Sequence, residues 1–322
     1  MGLYITHGII RPIMTRRNNT KTKTAKNKQL TADSVILQKQ HIPVLFEEVY
    51  GALSPKKGET YLDLTAGYGG HAERIITDVG QDNATLVDRD KNAIIALSKL
   101  FNASEIIHSD YASVLREMIS EGRDFDLILA DIGVSSPHLD NSDRGFSFQY
   151  DGPLDMRMDQ DIGPTAAQVI LDLPEETLAN VLYEYGEEYS SRKLARAIKA
   201  AKPETTKQLA DVVESVIPRR GKTHPATKTF QALRIYVNEE LVQLDTLLEL
   251  APQLLRPGGR LAVISFHSLE DRRVKHEFAQ LSVGEYESNF RQLNKKVIQP
   301  SQQEIDFNPR SRSAKLRVLV KK

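Results

Sequence analysis

The stretch Asp63-Leu64-Thr65-Ala66-Gly67-Tyr68-Gly69-Gly70-His71 limits what this chain can fold into more than any other part of it. Before it, Thr60 to Leu64 reads as a short apolar strand; after it, Ala72 to Val79 reads as a helix. A strand that turns through glycines into a helix lets backbone approach a ligand where a Cβ would clash. The helix N-terminus beside the turn adds free N–H groups. A second apolar strand, Ala84 to Val87, ends in Asp88, where an acid is placed to accept hydrogen bonds from a ribose. Gly67, Gly69 and Ala72 satisfy G-x-G-x-x-G/A, so the turn alone leaves a dinucleotide and S-adenosylmethionine equally open.

The strand–helix alternation continues beyond this turn. A helix from Asn92 to Phe101, a strand Glu105 to His108, a helix Ala112 to Ile119 and a strand Phe125 to Ala130 follow in order. Strands separated by helices of this length predict an α/β fold with a parallel sheet covered on both faces. Ligands then bind at the carboxyl ends of the strands, which here are Asp63 to His71, Asp88, Asp110-Tyr111 and Asp131. After Asp131 the alternation stops. Residues 132–160 read as loop, and helices are expected over Thr165–Leu171, Glu175–Tyr185, Ser190–Ala201 and Lys207–Val216 with no strand between them. The chain therefore divides into a main α/β domain (41–139 and 221–322), a helical insertion domain (140–220) facing the substrate, and an N-terminal segment (1–40). A long helix from Ala226 to about Leu250 carries Phe230, Leu233, Val237, Leu241 and Leu244 on one face. The turn Pro257-Gly258-Gly259 leads into a strand Arg260 to Ser265. A helix Leu269 to Leu281 and a final strand Lys315 to Val320 complete the pattern.

Composition narrows the chemistry. The 322 residues include no cysteine, which excludes disulfides, iron–sulfur clusters and cysteine zinc sites. It also excludes methylation that proceeds through a thiolate added to a pyrimidine ring. The net charge of zero hides an asymmetry: residues 1–40 hold eight Lys/Arg and one acid, leaving 35 basic and 42 acidic residues for the rest. A basic arm of this kind, poor in apolar periodicity, reads as disordered and suits either nucleic-acid contact or a mitochondrial transit peptide. No apolar run approaches the roughly 18 residues that a membrane span needs, so no membrane partner is expected.

Four polar clusters fall where loops meet the ligand edge. Asp131-Ile132-Gly133-Val134-Ser135-Ser136-Pro137-His138 offers an acid that can accept a hydrogen bond from an attacking amine, or merely form a turn. Arg144 to Phe148 and Gly152 to Asp159 set Phe146 and Phe148 beside Arg144 and Arg157, as for stacking a flat base with arginine on phosphate. The plainer alternative is an aromatic lid. In His224 to Arg234, Thr227 or a neighbour caps the long helix, while Lys228 and Arg234 are candidate phosphate contacts. In Ser265 to Arg273, Ser268 with Asp271 resembles a capping box and His267 lies at the ligand edge. A hydrolase triad there would need G-x-S-x-G, which is absent.

Read together, these runs resemble the bacterial ribosomal RNA small-subunit methyltransferases that methylate cytidine N4, the RsmH (MraW) family. The matching runs are His41-x-Pro-Val-Leu45, Asp63-x-Thr-x-Gly-x-Gly-Gly-His71, Asp131-x-Gly-Val-Ser-Ser136, Arg144-Gly-Phe-Ser-Phe148 and Gly152-Pro-Leu-Asp-Met-Arg-Met-Asp159. Glu184 to Glu188, His224 to Arg234, Ile264 to Arg272 and Arg310-Ser-Arg-Ser313 follow in family order, covering about 41–320. The resemblance implies a class I (Rossmann-like) S-adenosylmethionine-dependent methyltransferase sheet with an inserted helical domain. It implies a cofactor pocket lined by Gly69, Gly70, His71, Asp88, Tyr111, Asp131 and His138. Asp131, from its place at the carboxyl end of the fourth strand, is the candidate catalytic residue that accepts from the target amine. The implied partner is 16S rRNA, at a decoding-centre cytidine within the assembled small subunit, in the cytoplasm, with no metal required. This sequence departs from the family pattern at Ala72, where Ser is usual, and at His138, where Gln is usual. Two other readings stay open from the residues themselves: a nicotinamide-dependent oxidoreductase, and a ribosome-assembly protein that keeps the fold without catalysis.

Overall fold

The computed structural model describes residues 43–219, 221, 223–284 and 288–322, so the expected disordered basic arm of residues 1–40 lies outside the described residues. Seven strands form one sheet in the order β3-β2-β1-β4-β5-β7-β6. They are β1 (Tyr61–Asp63), β2 (Ala84–Asp88), β3 (Glu105–His108), β4 (Phe125–Asp131), β5 (Leu255–Ser265), β6 (Phe290–Gln292) and β7 (Lys315–Lys321). β1 to β5 run parallel, and β7 lies antiparallel to both β5 and β6. The expected parallel sheet is present, with an antiparallel edge that includes the expected final strand.

The two-residue period of the central strands sorts their side chains to two cores. Tyr61, Leu127, Leu129, Ala262 and Ile264 point to one face. There they meet α1 (Phe46–Leu53), α2 (Gly70–Val79) and α3 (Lys91–Leu100) through Val49, Leu53, Ile75 and Leu97. Leu62, Ile128, Ala130, Leu261 and Val263 point to the other face and meet Leu115, Met118, Leu244, Val274 and Phe278. β1 is buried along its whole length and β4 nearly so, which is why both read as continuous apolar runs rather than alternating ones. β5 starts earlier than expected, at Leu255. Register slips between the Phe125–Leu255 and Leu127–Arg260 pairs, so Pro257-Gly258-Gly259 is a bulge inside the strand, with Gly258 at φ 80°.

Helix α4 (Tyr111–Ser120) precedes β4. Among the described residues between β4 and β5 no strand intervenes, and the helices there are α5 (Ser136–Asp140), α6 (Ala166–Asp172), α7 (Glu175–Glu184), α8 (Ser191–Ala201), α9 (Thr206–Val216), α10 (Ala226–Val237) and α11 (Glu240–Leu250). Thr165 with Gln168 and Thr205 with Gln208 form capping boxes that start α6 and α9. α6 to α10 share a third core built on Ile170, Leu178, Leu194, Leu209 and Phe230.

The single long helix expected from Ala226 to about Leu250 is instead two helices with different allegiances. Phe230 and Leu233 of α10 pack in the helical core, whereas Leu244 and Leu248 of α11 pack on the sheet. The break falls at Asn238 and Glu239, the latter at φ 52°. The Asn238 amide donates to the carbonyls of Arg234 and Met156 at 2.9 and 2.8 Å, and accepts from the Met158 N–H at 2.8 Å. A side chain that takes its own helix's carbonyl competes with the next turn and ends it.

The segment read as loop, 132–160, is tightly folded. A Cβ on Gly145 would lie 2.4 Å from the Pro153 carbonyl oxygen, and one on Gly152 only 2.1 Å from that of Ser142. Asn238 pins the far end of this segment while being only 2% exposed. Asn238→Ala is therefore expected to cost about 2–4 kcal/mol, since three hydrogen bonds go and buried partners stay unpaired. Urea denaturation should show a lower midpoint with an unchanged slope; an unchanged midpoint would mean that packing alone holds the segment.

Candidate active site

β1 and β4 are neighbours whose onward chains leave in different directions, which opens a crevice at their carboxyl ends. Leu64 N–H donates to the Leu129 carbonyl, and Ala66 N–H to that of Val87, so the glycine turn rises from between three strands. Gly67 (φ 53°) and Gly69 (φ 85°) take left-handed conformations that a side chain would strain. Gly67 N–H donates to Asp88 Oδ2 at 2.7 Å, and Asp90 N–H donates to Asp88 Oδ1 at 2.7 Å. The carboxylate is thus aimed by two backbone donors, while burial raises its pKa. Gly70 lines the cleft. Gly69 lies behind it, where a Cβ would stand 2.6 Å from the Phe101 ring, and serves as the N-cap of α2.

The cleft has a volume of about 460 Å³, and of the seven expected cofactor residues it brings together Gly70, His71, Asp88, Tyr111, Asp131 and His138. Asp110 caps α4, accepting from the Ser113 N–H at 2.9 Å, which presents Tyr111 to the cleft. Burial raises the Tyr111 phenol. Asp131 N–H donates to Thr65 Oγ1 at 2.6 Å, tying the end of β4 to the glycine turn. Its Oδ1 accepts weakly from Gly133 N–H at 3.4 Å, and its Oδ2 lies 3.8 Å from His71 Nε2. Burial, with the nearby charges of Asp63 and Glu270, pushes the Asp131 carboxyl up to about 7.

His138 has both ring nitrogens engaged, Nδ1 with Ser135 Oγ at 3.0 Å and Nε2 with Asp90 Oδ2 at 2.8 Å. Its ring stacks on Phe146 at 4.9 Å. Asp90 also accepts from Arg144 at 3.1 Å. Burial works against this carboxylate, but the bonds and charges of His138 and Arg144 outweigh it and hold its pKa down at about 2.

The expected substrate residues divide. Phe146, Phe148, Arg234 and His267 line the cleft, whereas Arg144, Arg157 and Lys228 do not. Arg144 is 5% exposed and donates to Asp90 and to the carbonyls of Arg157 and Met158. Arg157 forks onto Asp155 at 2.8 and 3.0 Å. Both arginines brace the folded segment, their charges paired with Asp90 and Asp155. Lys228 Nζ is held by the Glu187 carbonyl at 2.9 Å. Arg234 forks onto Glu240 with both bonds at 2.8 Å, so its charge is largely neutralised within the cleft. The cap of the helix Ser268–Leu281 (α12) is a His267–Glu270 box, in place of the expected Ser268–Asp271 pairing. Glu270 Oε2 also holds the N–H groups of Phe266 and His267 at 2.7 and 3.1 Å.

Sequence reading passed over Asp90, Glu240 and Phe266 as site residues. The spacing Asp88-x-Asp90 was the available sign of the first; the other two have no local signature. Asp63, 2% exposed, sits under the turn, accepting from Tyr61 O–H at 2.7 Å and Thr65 N–H at 3.2 Å. Burial is the main cause that raises its pKa to about 7. The folded chain then holds this proton more tightly than the unfolded chain does. The stability so gained is complete below about pH 4 and is lost as pH rises to about 7. Asp63→Asn should raise the melting temperature relative to the parent at pH 8, by an amount worth a few kcal/mol at most, and change it little at pH 4. A pH-independent difference between the two would overturn the buried-carboxyl account.

Comparison with known proteins bears on what this cleft belongs to. A family model, the MraW methylase family, matches residues 38–322. The chain is 46% identical over 299 residues to ribosomal RNA small subunit methyltransferase H of Acidobacterium capsulatum, covering 88% of this chain and 99% of that one. It is 47% identical over 282 residues to the enzyme of the same name from Picosynechococcus, covering 86% and 95%. An rRNA methylase structure from Streptococcus thermophilus is 12% identical with a TM-score of 0.36, covering 87% of this chain and 97% of that one, a likeness that adds nothing to the family match. A match running from residue 38 to the last residue, with relatives aligned along almost their whole length, shows that the chain belongs to the MraW methylase family.

Proposed function

We propose that this chain transfers a methyl group from S-adenosylmethionine to the exocyclic N4 amine of a cytidine in 16S rRNA of the small ribosomal subunit. The observation that carries this reading is the Asp131 carboxyl at the end of β4, opening into the same cleft as the Gly67–Asp88 cradle. The cleft suits the cofactor on three counts. Asp88 has one backbone bond on each oxygen, which leaves lone pairs for a ribose diol. Ile132 and half-buried Tyr111 give apolar walls for an adenine. Gly70 leaves space beside Pro43, which a Cβ would fill at 2.8 Å. His138, spent on Ser135 and Asp90, contributes a wall and not a hydrogen bond.

Bound S-adenosylmethionine supplies an electrophilic methyl on a sulfonium. The chain's own task is set by the weakness of the nucleophile, since the lone pair of cytidine N4 is delocalised into the ring. The base has to be turned out of its stack and its amine held in line, which removes much of the entropic barrier. Asp131 Oδ2, the oxygen that Gly133 leaves open, is the acceptor for the amine N–H. A carboxylate there favours the amine as it gains positive charge, and it can take the proton that the nitrogen must lose. Helix α10 and the folded segment before α6 supply one wall through Phe146, Phe148, Met158, Phe230 and Arg234, with α6 to α9 packed behind them, as a substrate-facing unit. The same reading places the target at the decoding centre of the assembled subunit, and the protein in the cytoplasm, where that assembly occurs. Among the described residues no helix is long and apolar enough to cross a membrane.

Asp131→Asn keeps the shape and loses the charge. It should bind S-adenosylmethionine nearly normally and methylate purified small subunits at least about a hundredfold more slowly, a loss of roughly 2.7 kcal/mol. With the parent carboxyl titrating at about 7, its kcat/KM should fall as pH drops from 8 to 6, while that of the variant stays flat. Single-turnover rates equal to the parent's, with only cofactor affinity reduced, would make Asp131 a cofactor ligand and nothing more.

A further inference from the structure

Turning a cytosine out of its stack exposes both faces of the ring, and a half-buried cleft has to offer something flat in return. Four phenylalanines line the cleft. Phe146 is already stacked on His138. Phe148 and Phe230 pack edge to face at 4.9 Å, and Phe148 also meets His224 at 4.5 Å. Phe266 has no ring partner among the described residues and remains half-buried at the cleft wall. We propose that Phe266 is the stacking face for the target cytosine, and that Gly133 is glycine because the Phe266 ring occupies the place of its side chain. This rests on the methyl-transfer reading given above.

The placement follows from strand register. Asp131 pairs with Ile264 across β4 and β5, and Ile132 N–H donates to the Ile264 carbonyl at 3.1 Å. Phe266, two residues beyond Ile264, therefore emerges beside Gly133, two residues beyond Asp131. A Cβ on Gly133 would lie 2.5, 2.7 and 3.0 Å from three atoms of the Phe266 ring. Gly133 is also the residue whose N–H reaches Asp131 Oδ1, so the ring stands directly beside the carboxyl assigned to the amine. Its backbone is fixed: the Phe266 N–H is held at 2.7 Å by Glu270, which is only 2% exposed. A flat apolar surface on a rigid mount, next to the acceptor, can present an amine to an acceptor at a constant angle. Phe266 would act as a positioning residue through the base.

The most direct test uses the unaltered enzyme. A small-subunit RNA substrate bearing 5-iodocytidine at the target position is bound and irradiated, and the crosslinked peptide is mapped. Crosslinking to Phe266 is expected. A crosslink to Phe146 or Phe148 instead, or none on an RNA that the enzyme does methylate, overturns the assignment. Substitution gives the energetic side. Phe266→Leu and Phe266→Met should lower kcat/KM for the small subunit on the order of 10- to 100-fold, the range expected for one lost base–aromatic stack. Affinity for S-adenosylmethionine should stay within about twofold of the parent. Phe266→Tyr should restore the rate. Equal rates for Leu and Tyr variants overturn the proposal. Gly133→Ala, which keeps the ring but displaces it, should impair the parent more than it impairs a Phe266→Leu background. Failure of the parent enzyme to methylate any rRNA would count against the function itself, whereas methylation with the crosslink elsewhere counts only against Phe266.

Discussion

The cleft depends on one constraint, the separation of the chain as it leaves β1 and β4. Both strands are buried on two faces, so their middles are apolar and their carboxylates fall at or near the ends. Polar chemistry is pushed to the carboxyl ends, where the backbone leaves the ladder and its groups need other partners. Those partners are supplied within a few residues: Ala66 N–H finds the Val87 carbonyl, Gly67 N–H finds Asp88, and Asp131 N–H finds Thr65. Each bond that completes the backbone also aims a side chain into the cleft. The site is in this sense a by-product of terminating buried strands.

Acid accumulates there. Asp63, Asp88, Asp131, Glu240 and Glu270 all line the cleft, while Arg234 is the arginine forked directly onto one of them. Burial raises Asp63, Asp88 and Asp131 alike. Such a surplus costs free energy in an empty site and matches a ligand that carries positive charge. Glu240, His267 and Glu270 bring donor atoms within 4.8 Å of one another, but Arg234 and the backbone N–H groups of Phe266 and His267 account for both carboxylates.

Much of this was legible in the sequence because its signals are local. The glycine turn, the acid ending β2 and the apolar spacing of the helices after Asp131 each declare themselves within ten residues or so. The break at Asn238 did not, since an apolar stripe from Phe230 to Leu244 looks continuous although its two halves serve different cores. β6 was missed because Phe290–Gln292 is only three residues and nowhere fully buried. The pairing of the arginines was not legible for a related reason. The partner of Arg144 is Asp90, 54 residues away, and nothing near an arginine in sequence says whether a carboxylate will already have claimed it. Arg157 and Arg234 have nearer partners, in Asp155 and Glu240.

Asn238 has a mechanical meaning beyond its cost. It joins the end of α10 to the segment before α6 through Met156 and Met158, and its own carbonyl accepts from Arg89, just past the end of β2, at 3.1 Å. One residue thus rivets three parts of the chain that are far apart in sequence and that border the same cleft. A segment fastened in this way does not behave as a hinged lid. Its amide hydrogens would exchange with the slow, concerted opening of the surrounding core and not with fast loop fluctuation. A second tie of this kind lies in the cleft lining, where Arg310 pairs with Asp140 at the end of α5.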